Sequence, residues 1–124
     1  MKKHIYPNDK NISWYGAISK EISKTQVIPW RINHEDRNLY HEDLVNKAKE
    51  PAGIRISFST NSSFVKVLFN YISERSPIDL FINNEFHLSL NSENKNELIF
   101  NKLGFKEKSL EIWLPQYGHF IFKG

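Results

Sequence analysis

Residues 53–90 alternate short apolar runs with short polar turns. In the first run, Ile54, Ile56 and Phe58 alternate with polar residues, which is the period-two pattern of a strand with one buried face. The Thr, Asn and Ser side chains at 60–63 can each satisfy the backbone of a turn. Four runs within about forty residues leave no room for helical crossovers, so the stretch predicts antiparallel strands.

The remaining runs of this stretch indicate how the sheets are arranged. The run 64–71 is apolar on both sides, which places it toward the middle of a sheet. Asn83 and Asn84 separate the runs 78–82 and 86–90, and asparagine tolerates the positive φ angles of a two-residue hairpin turn. Two sheets are needed to cover the apolar faces. The predicted fold class is therefore all-β, a two-layer antiparallel β-sandwich.

Five further runs extend the same pattern. At 12–18, Gly16 predicts a bulge or a close backbone approach, and we expect Trp14 to close one end of the core. At 27–32, Pro29 removes a donor from the ladder, which indicates a sheet edge or a bulge. The other strands are expected at 97–101, 109–114 and 119–123.

The most polar segment, 33–50, contains His-Glu-Asp twice, at 34–36 and at 41–43. Imidazole and carboxylate ligands would suit zinc or manganese. On one helix, however, the two triplets would lie two turns and about 10 Å apart, which is too far for them to share an ion. We therefore expect no metal site, and instead either a solvated loop or a short helix from about 43 to 49, which Pro51 ends.

The length of 124 residues suits one domain, with 1–11 as a flexible N-terminal tail and 12–124 as a single β-sandwich. The chain has no cysteine, which excludes disulfides and a thiol nucleophile. We find neither a signal peptide nor a run of membrane-spanning length, and we expect a cytoplasmic location. The net charge of +3, with both signs interspersed, does not favour a nucleic-acid partner.

The sequence shows no recognisable catalytic constellation. No serine lies in a Gly-x-Ser-x-Gly setting, and no glycine-rich loop could cradle a phosphate. The five histidines, His4, His34, His41, His87 and His119, fall into no triad or ligand spacing. The residues by themselves indicate a non-catalytic module without a cofactor.

Four residues are candidates for ligand binding or for a domain interface. Trp30 and Arg31 belong to the run 27–32, and its expected position at a sheet edge places them near a rim. Arg31 could form a bidentate pair with a carboxylate of a neighbouring domain or of a ligand, and an ordinary surface salt bridge is the simpler interpretation. Trp113 has the opposite parity to its apolar neighbours, which leaves it exposed on the sheet or covered by the second layer. Tyr40 in the polar segment is the fourth candidate.

Several motifs, taken in order, resemble those of a known family. They are Pro29-Trp30-Arg31, AGIRISFSTNS at 52–62, IDLFINN at 78–84 and LEIWLP at 110–115. In this order and spacing they resemble the N-terminal β-sandwich domain of a branch of the SGNH (GDSL-type) esterases, which is jelly-roll-like and galactose-binding-like. Asn61 stands where the family usually has aspartate, and Asn83-Asn84 replace an aspartate-glycine turn. Both changes keep the chemistry of a turn.

The resemblance implies a non-catalytic accessory domain that packs on a C-terminal SGNH hydrolase domain and shapes substrate access. The family's glycine-aspartate-serine block would begin shortly after Gly124, so we expect the catalytic residues to lie outside this chain. The implied activity of the parent protein is carboxylic-ester hydrolysis, as in lipases, acylhydrolases and acetylesterases, and an acylated carbohydrate is one candidate substrate. An exposed apolar patch should mark the surface on which the other domain packs.

Two other classes of function stay open. A free-standing carbohydrate-binding module would stack sugar rings on exposed aromatic side chains such as Trp30, Tyr40 or Trp113. A self-association module would pair through the strand edge that Pro29 indicates.

Overall fold

The computed structural model describes residues 5–51, 53–73, 76–115 and 120–124. Its strands are β1 (Ser13–Tyr15), β2 (Ser19–Ile22), β3 (Val27–Trp30), β4 (Arg55–Thr60), β5 (Val65–Ile72), β6 (Pro77–Ile82), β7 (Glu85–Asn91), β8 (Lys95–Phe100) and β9 (Lys108–Trp113). Between β3 and β4 lie a 3-10 helix, His34–Leu39, and helix α1, Glu42–Ala48. The prediction of an all-β antiparallel sandwich is confirmed. Its jelly-roll-like and galactose-binding-like character stays a prediction.

The front sheet contains five strands in the order β1-β4-β9-β6-β7, with antiparallel pairing throughout. Ile56 of β4 lies opposite Ile112 of β9, which lies opposite Leu80 of β6. All three side chains are buried, so the period-two pattern of each strand supplies one row of the core. Asn83 and Asn84 form the predicted hairpin turn, with φ angles of 49° and 68°.

The back sheet is completed by the C-terminal segment, residues 120–124. The two strand pairs β2-β3 and β5-β8 have no direct ladder to each other among the described residues. Phe122 joins them, because it pairs antiparallel with Val27 of β3 on one side and with Phe69 of β5 on the other. The order across the back layer is therefore β2-β3-(120–124)-β5-β8.

This arrangement corrects the edge position expected for β3. Val27 has β2 on one side and Phe122 on the other, so β3 is an inner strand at that residue. Pro29, two residues further on, has no N–H with which to continue the ladder toward the C-terminal segment. Pairing on that side is therefore limited to the bridge at Val27 within the described residues. Of the strand expected at 119–123, His119 lies outside the described residues, as does His4 of the tail.

Two expectations for the N-terminal strand hold. Gly16 has a φ of +84°, and a Cβ atom at this position would overlap the carbonyl oxygen of Gly53. The predicted close backbone approach is therefore present. Trp14 is half-buried and meets Phe122 edge to face, with 5.6 Å between the ring centroids. It covers one end of the core, as expected.

Replacing Phe122 with Ala should destabilise the fold strongly, because its side chain is only 4% exposed, belongs to the core and packs on Trp14 of the front sheet. We expect a loss of about 3–5 kcal/mol in the free energy of unfolding, measured by urea denaturation. Phe105→Ala is the matched control, since Phe105 is 84% exposed and its loss should cost less than about 0.5 kcal/mol. Similar losses in the two variants would contradict the contribution of the buried Phe122 ring to the core.

Candidate functional site

A cluster of aromatic and charged side chains covers the outer face of the front sheet. Register places Tyr15 opposite Arg55, and Arg55 opposite Trp113. Glu111, two residues before Trp113, lies opposite Phe81 of β6. Each of these positions alternates with a core residue of its strand, so its side chain points away from the core. We call the following set the Trp113 face: Tyr15, Arg55, Phe81, Phe86, Glu111 and Trp113.

Arg55 is the centre of this cluster. Its guanidinium carbon lies 4.6 Å from the ring centroid of Trp113 and 5.3 Å from that of Tyr15. Its Nε atom lies 3.6 Å from Oε1 of Glu111, and the same oxygen accepts a hydrogen bond of 2.8 Å from the indole N–H of Trp113. Cation–π contact and charge pairing therefore fix the Arg55 head group between two rings.

Aromatic contacts extend the Trp113 face toward β7. Phe81 lies 6.1 Å from Trp113 and 5.7 Å from Phe86, measured between ring centroids. Phe86 is 59% exposed and Tyr15 is 48% exposed, while Trp113 and Phe81 are half-buried. Of the two positions considered for Trp113, the structure shows the outward one. Exposed rings on a pleated surface are typical of binding faces.

A separate site, a cavity, lies on the back layer around Trp30. The cavity has a volume of about 310 Å³ and is lined by residues of β2, β3, the polar segment and the C-terminal segment. Lys49 Nζ lies 5.1 Å from the Trp30 ring centroid, and His34 stacks on the same ring at 6.2 Å. Its lining residues are Glu21, Ile28, Trp30, Arg37, Lys49, Phe120 and Ile121.

The exposure expected of Trp30 is wrong, since its side chain is only 2% exposed. The polar segment after β3 supplies His34 and Lys49, which pack against the indole and remove it from solvent. The indole nitrogen is enclosed without a hydrogen-bond partner among the described residues. Trp30 therefore offers no free ring face to a sugar.

Arg31 forms no salt bridge with a described residue. Its pairing with a carboxylate of a ligand or of another domain stays a prediction. Its Nη2 atom donates to the carbonyl oxygen of Lys47 at 2.5 Å, and its backbone N–H donates to the carbonyl of Ala48 at 2.9 Å. Both acceptors belong to the last turn of α1, where the carbonyls receive no i+4 helical N–H and the helix dipole favours a cation. Arg31 thus holds the polar segment against β3.

Tyr40 lies apart from both sites. It follows the 3-10 helix, its backbone N–H donates to the carbonyl of Arg37 at 3.3 Å, and its side chain is exposed. The structure therefore brings Trp30 and Arg31 into one region and leaves Tyr40 and Trp113 elsewhere. Whether any of the four contacts a ligand or another domain stays a prediction.

The two His-Glu-Asp triplets serve helix formation. His34 begins the 3-10 helix and is anchored by Ser19. Its backbone N–H donates to Ser19 Oγ at 2.9 Å, and its Nδ1 lies 3.0 Å from the same oxygen. His41 caps α1, since its Nδ1 accepts from the backbone N–H of Asp43 at 3.1 Å. The helix spans 42–48, close to the predicted 43–49. Among residues 5–51, 53–73, 76–115 and 120–124, no three His, Asp or Glu side chains gather at one point.

A family model described as the SsfX3 N-terminal domain matches residues 12–123. The chain therefore belongs to the family of SsfX3 N-terminal domains. This match confirms the resemblance to the N-terminal domain of SGNH (GDSL-type) enzymes.

Two solved structures share the fold. A salicylyl-acyltransferase, SsfX3, from a tetracycline biosynthetic pathway aligns with a TM-score of 0.85 and 24% identity over 95% of this chain. A putative GDSL-like lipase from Bacteroides ovatus ATCC 8483 aligns with a TM-score of 0.65 and 17% identity over 92% of this chain. The chain spans only 37% and 41% of the lengths of these two proteins. No curated protein matches it.

The helices of the described residues are too short or too polar to cross a bilayer. This finding fits the absence of a membrane-spanning run in the sequence.

Glu111→Leu should destabilise the Trp113 face more than Glu111→Gln does. Leucine removes the acceptor of the Trp113 indole N–H and the charge partner of Arg55, whereas glutamine keeps an acceptor oxygen. Because the side chains are partly solvated, we expect losses of about 1–2 kcal/mol for Leu and less than about 0.5 kcal/mol for Gln in urea unfolding. Equal losses would show that the shared oxygen of Glu111 contributes little.

Proposed function

We propose that this chain is the non-catalytic accessory domain of an SGNH-type ester hydrolase or acyltransferase, and that it packs on the enzyme domain of the same protein. The observation that carries the proposal is the family match, which extends over residues 12–123. The likeness to a salicylyl-acyltransferase and to a GDSL-like lipase, each more than twice as long as the aligned region, supports it.

The described residues support a structural role in such an enzyme. The hydroxyl of Ser19 lies beside His34, but it also donates to the carbonyl of Ile32 at 2.6 Å, so both serve to anchor the polar segment. The outward rings of the Trp113 face and the exposed side chains at the ends of the sandwich give a partner domain apolar surface to cover. The domain would stabilise the enzyme and form one wall of its substrate cleft.

Two measurements test this function: the sequence of the complete open reading frame, and an esterase assay of the protein that it encodes. We expect a glycine-aspartate-serine block after residue 124 and hydrolysis of p-nitrophenyl acetate by the complete protein, which Ala in place of the serine of that block should abolish. Chain 1–124 alone should not exceed the rate in buffer. A reading frame without such a block, or hydrolysis by chain 1–124 alone, would contradict the proposal.

A second candidate function is carbohydrate binding at the Trp113 face. The observation that favours it is the arrangement of Tyr15 and Trp113 on either side of Arg55, with Glu111 beside them. Sugar rings stack on aromatic faces, and the two charged groups can hydrogen-bond sugar hydroxyls. Acylated sugars would be the ligand class if the parent enzyme acts on them.

Titration with plain and acetylated oligosaccharides measures this binding. If the Trp113 face binds sugar, Trp113→Ala should abolish the calorimetric signal, because it removes the half-exposed ring beside Arg55. Trp14→Phe is the control, since Trp14 packs on the core instead. No heat at ligand concentrations of about 1 mM would rule out useful affinity.

Self-association through the edge of β3 is not favoured, because Val27 of that strand is paired on both sides.

A further inference from the structure

The loop between β8 and β9, residues 101–107, presents Phe105 to solvent. At 84% exposure, Phe105 is the most exposed of the large apolar side chains in the described part of the chain, and Leu39 follows at 81%. Exposing the apolar area of a phenylalanine ring to water is unfavourable, and burial of the ring against a partner removes this unfavourable free energy. The described residues of the sandwich leave this ring uncovered.

The backbone that carries Phe105 is held in place on both sides. The ammonium of Lys108, a residue only 6% exposed, donates to the carbonyl of Gly104 at 2.8 Å and to that of Lys106 at 3.1 Å. These are the residues immediately before and after Phe105. A backbone fixed in this way needs little further ordering when the ring is buried by a partner, which is the property of a good binding anchor.

The base of the loop is also tied to the sandwich. Leu103 is buried in the core cluster, and its backbone N–H donates to the carbonyl of Ser63 at 3.0 Å. Gly104 follows with a φ of +81°, which turns the chain outward without a steric cost. The exposed ring is therefore part of an anchored loop.

The direction of the C-terminal segment points to this end of the molecule. The segment runs antiparallel to β5, with Phe122 opposite Phe69 and with Gly124 accepting a hydrogen bond of 2.9 Å from the N–H of Leu68. Residues that follow Gly124 would run toward Val65, the first residue of β5. Val65 lies opposite Phe100, which is the last residue before the Phe105 loop.

We propose that Phe105 is the docking anchor for the SGNH-type domain that follows this chain, an inference that rests on the function proposed above. A domain that follows Gly124 would begin at the end of the sandwich where the Phe105 ring is exposed. The exposed charged residues of the loop are Lys102, Lys106 and Glu107, which leave it with a net positive charge, so the complementary surface is an apolar pocket with a mainly acidic rim. Phe105 fills that pocket.

Hydroxyl-radical footprinting of the complete protein and of chain 1–124 tests this contact directly. Oxidation follows exposed area, so docking should lower the oxidation rate of Phe105 about tenfold in the complete protein, as for a fully desolvated anchor. Leu39 is the matched control, because it is nearly as exposed as Phe105 but belongs to the 3-10 helix of the polar segment, which follows β3. Its rate should not change. Protection of the buried Phe69 in both samples verifies that both are folded.

Each other outcome overturns the inference. Equal oxidation of Phe105 in the two samples, in a protein that contains the SGNH-type domain, refutes the anchor and leaves the accessory function standing. Protection of Phe105 that appears in chain 1–124 alone and grows with its concentration would assign the loop to a second copy instead. A complete protein without an SGNH-type domain would refute the accessory function as well, and the reading frame identifies that case separately.

Discussion

The pairing of Phe122 with strands on both sides is the constraint on which the sandwich depends. Val27 and Phe69 are not neighbours in any continuous ladder of the described residues; each is bound through Phe122. Without this residue the back layer would consist of two separate strand pairs, and each would expose unpaired backbone groups. The side chain of Phe122 also packs on Trp14 of the front sheet. One residue thus links the two halves of one layer and one layer to the other.

The outer surface of the front sheet follows a different physical rule from the core. The core side chains of the front sheet are held by the removal of apolar area from water, which is not directional. The outward cluster is held by directional contacts, in which Glu111 serves both the Arg55 charge and the Trp113 indole N–H. Such a cluster keeps a half-exposed aromatic surface in one arrangement without a partner. This preorganisation suits a surface that another molecule or domain must recognise.

The sequence predicted those elements whose pattern is local. Alternation identified the core strands of the front sheet, and the Asn83-Asn84 turn identified a hairpin. Strand β2 was missed because its sequence, SKEI, is mostly polar and acquires strand geometry by pairing with β3. The 3-10 helix was missed for a similar reason, since Ser19 anchors its start from a distant position.

The candidate site was predicted only in part. The parity of Trp113 within its strand was sufficient to suggest an outward position, and the same parity within 53–60 places Arg55 on an outer face. That Arg55 lies opposite Trp113 follows from the register between β4 and β9, which no local pattern shows. The burial of Trp30 could not be read from local pattern, because the residues that cover it belong to the polar segment. Arg31 likewise bonds to main-chain carbonyls of a helix sixteen residues away, and no carboxylate pattern in the sequence marks such a partner.

The position of residues 120–124 also governs how the protein can be made. The chain emerges from the ribosome N-terminus first, so β3 and β5 are synthesised long before residues 120–124, which will lie between them. Until then the nascent chain carries two unfinished strand pairs with open edges, the state in which sheet proteins are most prone to aggregate. Closure of the back layer is therefore a late event in synthesis, and slow translation just beyond this segment would favour correct folding.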